Sequence, residues 1–534
     1  MVKSDQAPDT GSAPGRKVFV IGLDGATWDI IVPLAAKGDL PCFQRLLDAG
    51  SHGVLNSTLP CVTPPAWGAF LTGASPARHN VIDFTKRIDS DIFEFVTFQD
   101  LAVPKLWHAL THFDKRSVFV GVPFTFPPEK MKGILVPGPP VPVRGIETWP
   151  PDVAAQILDR MPDYTAELQY GSKQEILGEI YRATRNRCDL ATWLMKREAW
   201  DFFMITIIAT DRLHHKMWHR DDVLAEYYRH LDGELAKILG EVDDDTYVVL
   251  MSDHGFTSVK TKFFPNQWLA NNGYLKARFI RPGEEWDPRY MNPTARRRRS
   301  KGKVYGWRRF LRMLPGCGDL RWAIDLSQSK AFSSFGHFTG VFVNLRGRYE
   351  QGIVEPGDAY ESVRDDLIGD LGNLRDPATG ERLFKQVVRR EELFDGPAVE
   401  RMPDVITEVS DYAYRLRSNL GLGKKVFVPF RKKKSYHAPE GIFYVKGPGI
   451  KSAQRLDDAN IQDVAPLILH LMGLPKLSTM DGSLPAGALD RIFFEGQEQP
   501  VVDASEIDCS TASHSFSDED REAITRDMEA LGYL

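Results

Sequence analysis

Three unbroken apolar runs that each stop at an aspartate constrain this chain more than any other feature. Val-Phe-Val-Ile-Gly-Leu stops at Asp24, Phe-Phe-Met-Ile-Thr-Ile-Ile-Ala-Thr at Asp211, and Tyr-Val-Val-Leu-Met-Ser at Asp253. A run that is apolar at every position reads as a strand buried on both faces, which is the habit of parallel sheets. Between the runs lie stretches with helical spacing, over 28–36, 43–49, 151–160, 173–200 and 222–239. Strand alternating with helix predicts an α/β fold: a mostly parallel central sheet with helices on both faces. Open sheets of this kind bind ligands at the carboxyl ends of their strands, so aspartates distant in sequence can converge there.

The second constraint is the segment 59–73, Leu-Pro-Cys-Val-Thr-Pro-Pro-Ala-Trp-Gly-Ala-Phe-Leu-Thr-Gly. A strand over 52–58 leads into it, and Pro64-Pro65 can open a helix because proline is tolerated in a first helical turn. Thr63 then stands at the positive end of that helix. Its hydroxyl can serve as a cap, or as a nucleophile if a metal ion lowers the pKa of the alcohol. Ligands for such ions are on offer: Asp24, Asp211 with His215 four residues on, Asp253-His254, and His437 just before the apolar run 442–445. Mixed carboxylate and imidazole donors suit two divalent ions.

These residues carry a resemblance. The chain is similar to the type I phosphodiesterase/nucleotide pyrophosphatase family of the alkaline phosphatase superfamily. The matching stretches are Ile-Gly-Leu-Asp24-Gly, Thr63-Pro-Pro-Ala-Trp with Leu-Thr-Gly, Pro76 and His79, Asp211-Arg-Leu-His-His215-Lys-Met-Trp, Ser-Asp253-His254-Gly-Phe, and His437-Ala-Pro-Glu-Gly-Ile. Weaker echoes are Val-Asn-Leu-Arg-Gly-Arg at 343–348, Asp463-Val-Ala-Pro, Met480-Asp-Gly and the terminal Leu-Gly-Tyr-Leu. The resemblance implies an alkaline phosphatase-like core and leaves 276–330 unaccounted for, where the shift to a basic composition reads as an inserted cap. It also implies one ion held by Asp211, His215 and His437, and a second held by Asp24, Thr63, Asp253 and His254. His215 is chosen over His214 because a spacing of four from Asp211 puts both on one face of a helical turn. Zinc suits these ligands, with manganese or iron as alternatives.

Size and composition set the remaining bounds. At 534 residues the chain fits one large α/β domain with an insertion. The expected division is a disordered leader over 1–16, core over 17–275, a basic insertion or cap over 276–330, core again over 331–495, and a tail with a helix over 496–534. The fractions of 43% apolar and 26% charged residues are those of a globular protein, and a net charge of -5 gives no global attraction to nucleic acid. The longest apolar run, 202–209, is far short of the roughly 20 residues that span a bilayer. Five cysteines without Cys-x-x-Cys spacing read as reduced thiols in a cytoplasm. The run Arg296–Arg299, followed by further cations to Arg312, is a solvated face or a contact for a phosphorylated substrate, an acidic lipid surface or RNA. Lys432, Lys433 and Lys434, immediately before His437, are candidates for drawing in an anionic substrate.

Together these features predict a metal-dependent phosphoric ester hydrolase. Its Thr63 would attack phosphorus in line, pass through a covalent phosphothreonine and be released by water, with retention at phosphorus. Two dications and three aspartates leave one positive charge, which a Thr63 alkoxide cancels, so a singly charged diester such as a nucleotide or lipid head-group ester suits the site better than a dianionic monoester. A phosphomonoesterase or phosphomutase is the main alternative. A sulfatase needs a Cys-x-Pro-x-Arg context from which Cys61-Val-Thr-Pro-Pro departs, and a non-catalytic anion-binding protein has no need of seven site residues.

Overall fold

The computed structural model describes residues 16–89, 92–141, 146–165, 173–280, 321–333, 340–418, 420, 424–484, 499–509, 517 and 524. The leader to residue 15, the run Arg296–Arg299 with the cations after it, and the tail helix expected from Ser517 lie outside these residues apart from Ser517 and Ile524.

The predicted central sheet is present. From one edge to the other its strands are Gln454–Arg455, Ser51–Asn56, Glu440–Lys446, Tyr247–Met251, Val18–Leu23, Phe202–Ile207, Ser117–Val120 and Gly133–Val136, with Ala459–Asn460 also pairing with Ser51–Asn56. Every pairing is parallel except those of Glu440–Lys446, which runs against both neighbours. Side chains of successive residues point to opposite faces. Val18 and Val20 therefore join the apolar layer containing the helices Thr63–Thr72 and Val464–Leu471. Phe19, Ile21 and Leu23 join the opposite layer, containing Lys173–Arg197 and Asp221–Leu239. Each large apolar side chain so buried contributes about 1.5–3 kcal/mol.

The many prolines over 123–150 read from the sequence as a long surface loop, but the segment contains the edge strand Gly133–Val136, which pairs in parallel with Ser117–Val120. Prolines flank this strand rather than interrupt it, which an edge position permits. Residues 331–436 contribute to separate sheets. Ala331–Phe332, Gly340–Val343, Val405–Val409 and Phe384–Arg389 make a four-stranded sheet, and Tyr414–Leu416, Gly255–Phe263 and Phe427–Ala438 a three-stranded one. The two share an apolar cluster of their own around Phe263, Val343, Leu367 and Val405. The main sheet resumes only at Glu440. The expected insertion begins and ends in an antiparallel ribbon, Ala277–Ile280 with Arg321–Ile324.

Long-range capping ties the helical layer together. The helix Pro41–Ala49 has Leu40 at its N-cap, with no side-chain cap bond. Asp232, on the helix Asp221–Leu239, instead accepts from the amides of Cys42 at 3.0 Å and Phe43 at 2.8 Å. Removing this buried acceptor strands two donors. Asp232→Ala should therefore lower stability by about 2 kcal/mol, with Asp232→Asn recovering part of it, as read by chemical denaturation followed by circular dichroism.

Candidate active site

The carboxyl ends of the parallel strands carry the site. Asp24 follows Val18–Leu23 directly, Asp253 lies two residues beyond Tyr247–Met251, and Asp211 sits in the first turn of the helix Ala209–Met217 that follows Phe202–Ile207. His437 arrives differently. It lies on the strand Phe427–Ala438 of the three-stranded sheet, opposite Phe256, and the chain then enters the antiparallel strand Glu440–Lys446. An antiparallel strand begins where its parallel neighbours end, so His437 is delivered to the same edge as the aspartates.

Two ligand sets result. Asp211 Oδ1 lies 3.2 Å from His215 Nε2 and 3.4 Å from His437 Nε2, and the two Nε2 atoms are 3.0 Å apart. An ion bound tetrahedrally at about 2.0–2.1 Å has ligand atoms about 3.3–3.4 Å apart, so three such atoms fit one ion. In the second set His254 Nε2 lies 3.3 Å from Asp253 Oδ2 and 3.9 Å from Asp24 Oδ1. All three residues have no exposed surface.

The donor chemistry of the second set fits a cation. Asp24 Oδ2 accepts from the Trp67 indole at 3.1 Å, and Asp253 Oδ1 from the Gly25 amide at 3.0 Å. The remaining atoms, Asp24 Oδ1, Asp253 Oδ2 and His254 Nε2, are buried with no hydrogen-bond partner. Three orphaned acceptors facing one another cost several kcal/mol unless something positive lies between them. His254 Nδ1 is 3.1 Å from the Gly255 carbonyl and His437 Nδ1 is 3.1 Å from that of Cys61. A carbonyl only accepts, so Nδ1 carries the proton in both rings and each Nε2 lone pair faces its ligand set. The two sets adjoin, because the rings of His254 and His437 stack with centroids 3.7 Å apart.

Protonation follows burial. Desolvation lowers His437 well below the usual imidazole range and brings His254 to about 4. It also raises Asp24 and Asp253 well above the carboxylate range, with neighbouring aspartates adding to the rise. Asp211 goes the other way: burial would raise it, but His215 and His437 together hold it well below that range.

Thr63 is the first residue of the helix Thr63–Thr72, buried to 4% exposure. It is not the cap; Val62 occupies that position, with no side-chain cap bond. Its segment is fixed on both sides, at Cys61 by the bond to His437 and at Trp67 by the bond to Asp24. His214 is no ligand: its ring bonds the Gly25 carbonyl and the Tyr228 hydroxyl. Lys432, Lys433 and Lys434 are exposed, at a break in register that follows Pro429, and Lys433 pairs with Asp221 at 2.9 Å. They share a strand with His437 but are not brought into either ligand set.

Sequence reasoning passed over two buried guanidiniums. Arg212 lies 3.9 Å from Asp211, and Arg415 lies over the ring of Tyr436, which stacks on His437. Arg212 was readable as the neighbour of a candidate ligand. Arg415 had no sequence signal, because only the pairing of Tyr414–Leu416 with Gly255–Phe263 brings it near.

A family model described as type I phosphodiesterase/nucleotide pyrophosphatase matches residues 18–428. The chain belongs to this family. This type I phosphodiesterase family member is thus an enzyme of phosphoric ester hydrolysis. The family is metal-dependent, and the chain carries two candidate ligand groups. His437 lies beyond the matched span. Among solved structures, phosphonoacetate hydrolase from Sinorhizobium meliloti 1021 in complex with phosphonoformate is similar at 13% identity and a TM-score of 0.52, over 86% of this chain and 96% of that one. Human ectonucleotide pyrophosphatase/phosphodiesterase 5 is similar at 12% identity and a TM-score of 0.47, over 88% and 97%. No curated protein matches.

Ion binding should release protons as pH falls into the raised range of Asp24 and Asp253, because a cation favours the ionised form of carboxyls that burial pushes up. Affinity for Zn²⁺ should therefore fall as pH falls. Calorimetry of the chelator-stripped protein in buffers of different ionisation enthalpy checks both the release and its loss in Asp24→Ala.

Proposed function

We propose that this enzyme is a two-metal phosphodiesterase that works through a covalent phosphothreonine at Thr63. One divalent ion would be held by Asp211, His215 and His437, and the other by Asp24, Asp253 and His254 with Thr63. The observation that carries this reading is the trio of buried, unpartnered acceptors on Asp24, Asp253 and His254. When bound, such ions lower the pKa of a coordinated hydroxyl and neutralise charge on phosphoryl oxygens.

The residues of the chain supply the remainder. Thr63 stands at a helix start, where the unpaired amides and the helix dipole favour negative charge. Its oxygen forms a bond to phosphorus as the bond to the leaving group breaks. Water then attacks the phosphothreonine from the opposite face, returning the hydroxyl to Thr63 and leaving the configuration at phosphorus retained overall. The thiol of Cys61 takes no part: burial pushes it up to about 12, and it is the carbonyl of this residue that holds His437. Zinc suits the donor set, with manganese or iron as alternatives.

A diester remains the first choice of substrate, and a nucleotide or lipid head-group ester falls within it. A monoester is the second reading, favoured by Arg212 and Arg415, whose buried positive charge the aspartate count did not include. The exposed lysines 432–434 would steer an anion toward His437. Cytoplasmic placement is in keeping with four unpaired cysteines among the described residues.

Hydrolysis of bis-p-nitrophenyl phosphate beside p-nitrophenyl phosphate tests the reading. Faster turnover of the diester is expected, lost by a factor of at least about 10³ in Thr63→Ala and reversibly in EDTA. Monoester preference moves the assignment to phosphatase, and undiminished turnover by Thr63→Ala removes the phosphothreonine.

A further inference from the structure

His214 stands between two proposed ligands yet belongs to neither set. Its ring is buried and both nitrogens are engaged. Nδ1 donates to the Gly25 carbonyl at 3.0 Å, and Nε2 accepts from the Tyr228 hydroxyl at 3.2 Å. The Gly25 amide in turn donates to Asp253 Oδ1 at 3.0 Å. Gly25 has a φ of +66°, in the left-handed region, and a Cβ there would meet Phe256 at 2.7 Å, so the turn between Asp24 and its neighbours has little freedom of its own. The His214 carbonyl accepts from Ser435 Oγ at 2.8 Å, two residues before His437. One residue thus touches the segments that carry Asp24 and His437, reaches Asp253 through the Gly25 amide, and shares a helical turn with Asp211 and His215.

We propose that His214 is a positioning residue that couples the two cation sites, fixing Gly25, and through it Asp253, against the helix that carries Asp211 and His215. The proposal rests on the two-metal reading above. A buried histidine that only fills space would leave the ions untouched, because packing fixes volume and not the direction of the Gly25 carbonyl. Groups that orient metal ligands typically change affinity by roughly 10–100-fold when removed.

The test is calorimetric titration of Zn²⁺ into the full-length, chelator-stripped protein. It compares wild type with His214→Leu and His214→Asn, each also in a His437→Ala background that leaves the Asp24, Asp253 and His254 set intact. Wild type should bind two equivalents. His214→Leu should weaken the Asp24 set by roughly 10-fold or more and lower kcat with little change in KM. His214→Asn, whose amide can take the place of Nδ1–H, should recover most of both. Should His214→Leu fail to fold by circular dichroism, Tyr228→Phe, which removes only the hydroxyl partner, should show a smaller loss of the same sign. Two equivalents bound within twofold of wild type by the variant that folds would overturn the proposal, as would Asn performing no better than Leu. Absence of Zn²⁺ binding by wild type would overturn the two-metal reading itself.

Discussion

Removing carboxylates from water beside one another is the constraint on which the rest of this site depends. Asp24 and Asp253 have no exposed surface, and each is driven above its usual range first by desolvation and then by other aspartates. In the absence of a cation such a cluster costs several kcal/mol per charge. The fold offsets part of this with directed donors, the Trp67 indole on one oxygen of Asp24 and the Gly25 amide on one oxygen of Asp253. The other oxygen of each is buried without a hydrogen-bond partner.

That arrangement requires accuracy in elements far apart in the chain. Trp67 can reach Asp24 only because its helix is buried along its whole length against the sheet, and Gly22 makes room for it: a Cβ there would lie 2.6 Å from the indole. The same helix presents Thr63 at its first turn. His437 is held from the other side, by the carbonyl of Cys61 and by pairing with Phe256, so the segment that carries Thr63 and the three-stranded sheet are fixed to one another through a proposed ligand. Asp24, Thr63 and His437 thereby share supports, and a change in one support reaches the others.

The legible part of this protein was its repeated unit. Unbroken apolar runs ending at aspartates gave the central strands and the edge where the chemistry gathers, and the i to i+4 spacing separated His215 from His214. The strand Gly133–Val136 was hidden because proline punctuation reads as loop whether it interrupts a strand or merely flanks one. The separate sheets over 331–436 were hidden because short amphipathic strands carry no mark of which sheet they join. Arg415 was invisible for the same reason.

The sequence by itself determined which residue types are available for chemistry and which strands are buried on both faces, because burial demands apolar side chains and metal chemistry demands carboxylates and imidazoles. Tertiary structure alone decided the direction of Glu440–Lys446, and with it the edge to which His437 comes. It alone decided which nitrogen of His437 and of His214 carries the proton, because the carbonyls of Cys61 and Gly25 are brought there from distant parts of the chain. Hydrogen-bond direction and electrostatic proximity depend on distance in space, and no local pattern of residues encodes a contact across some four hundred positions.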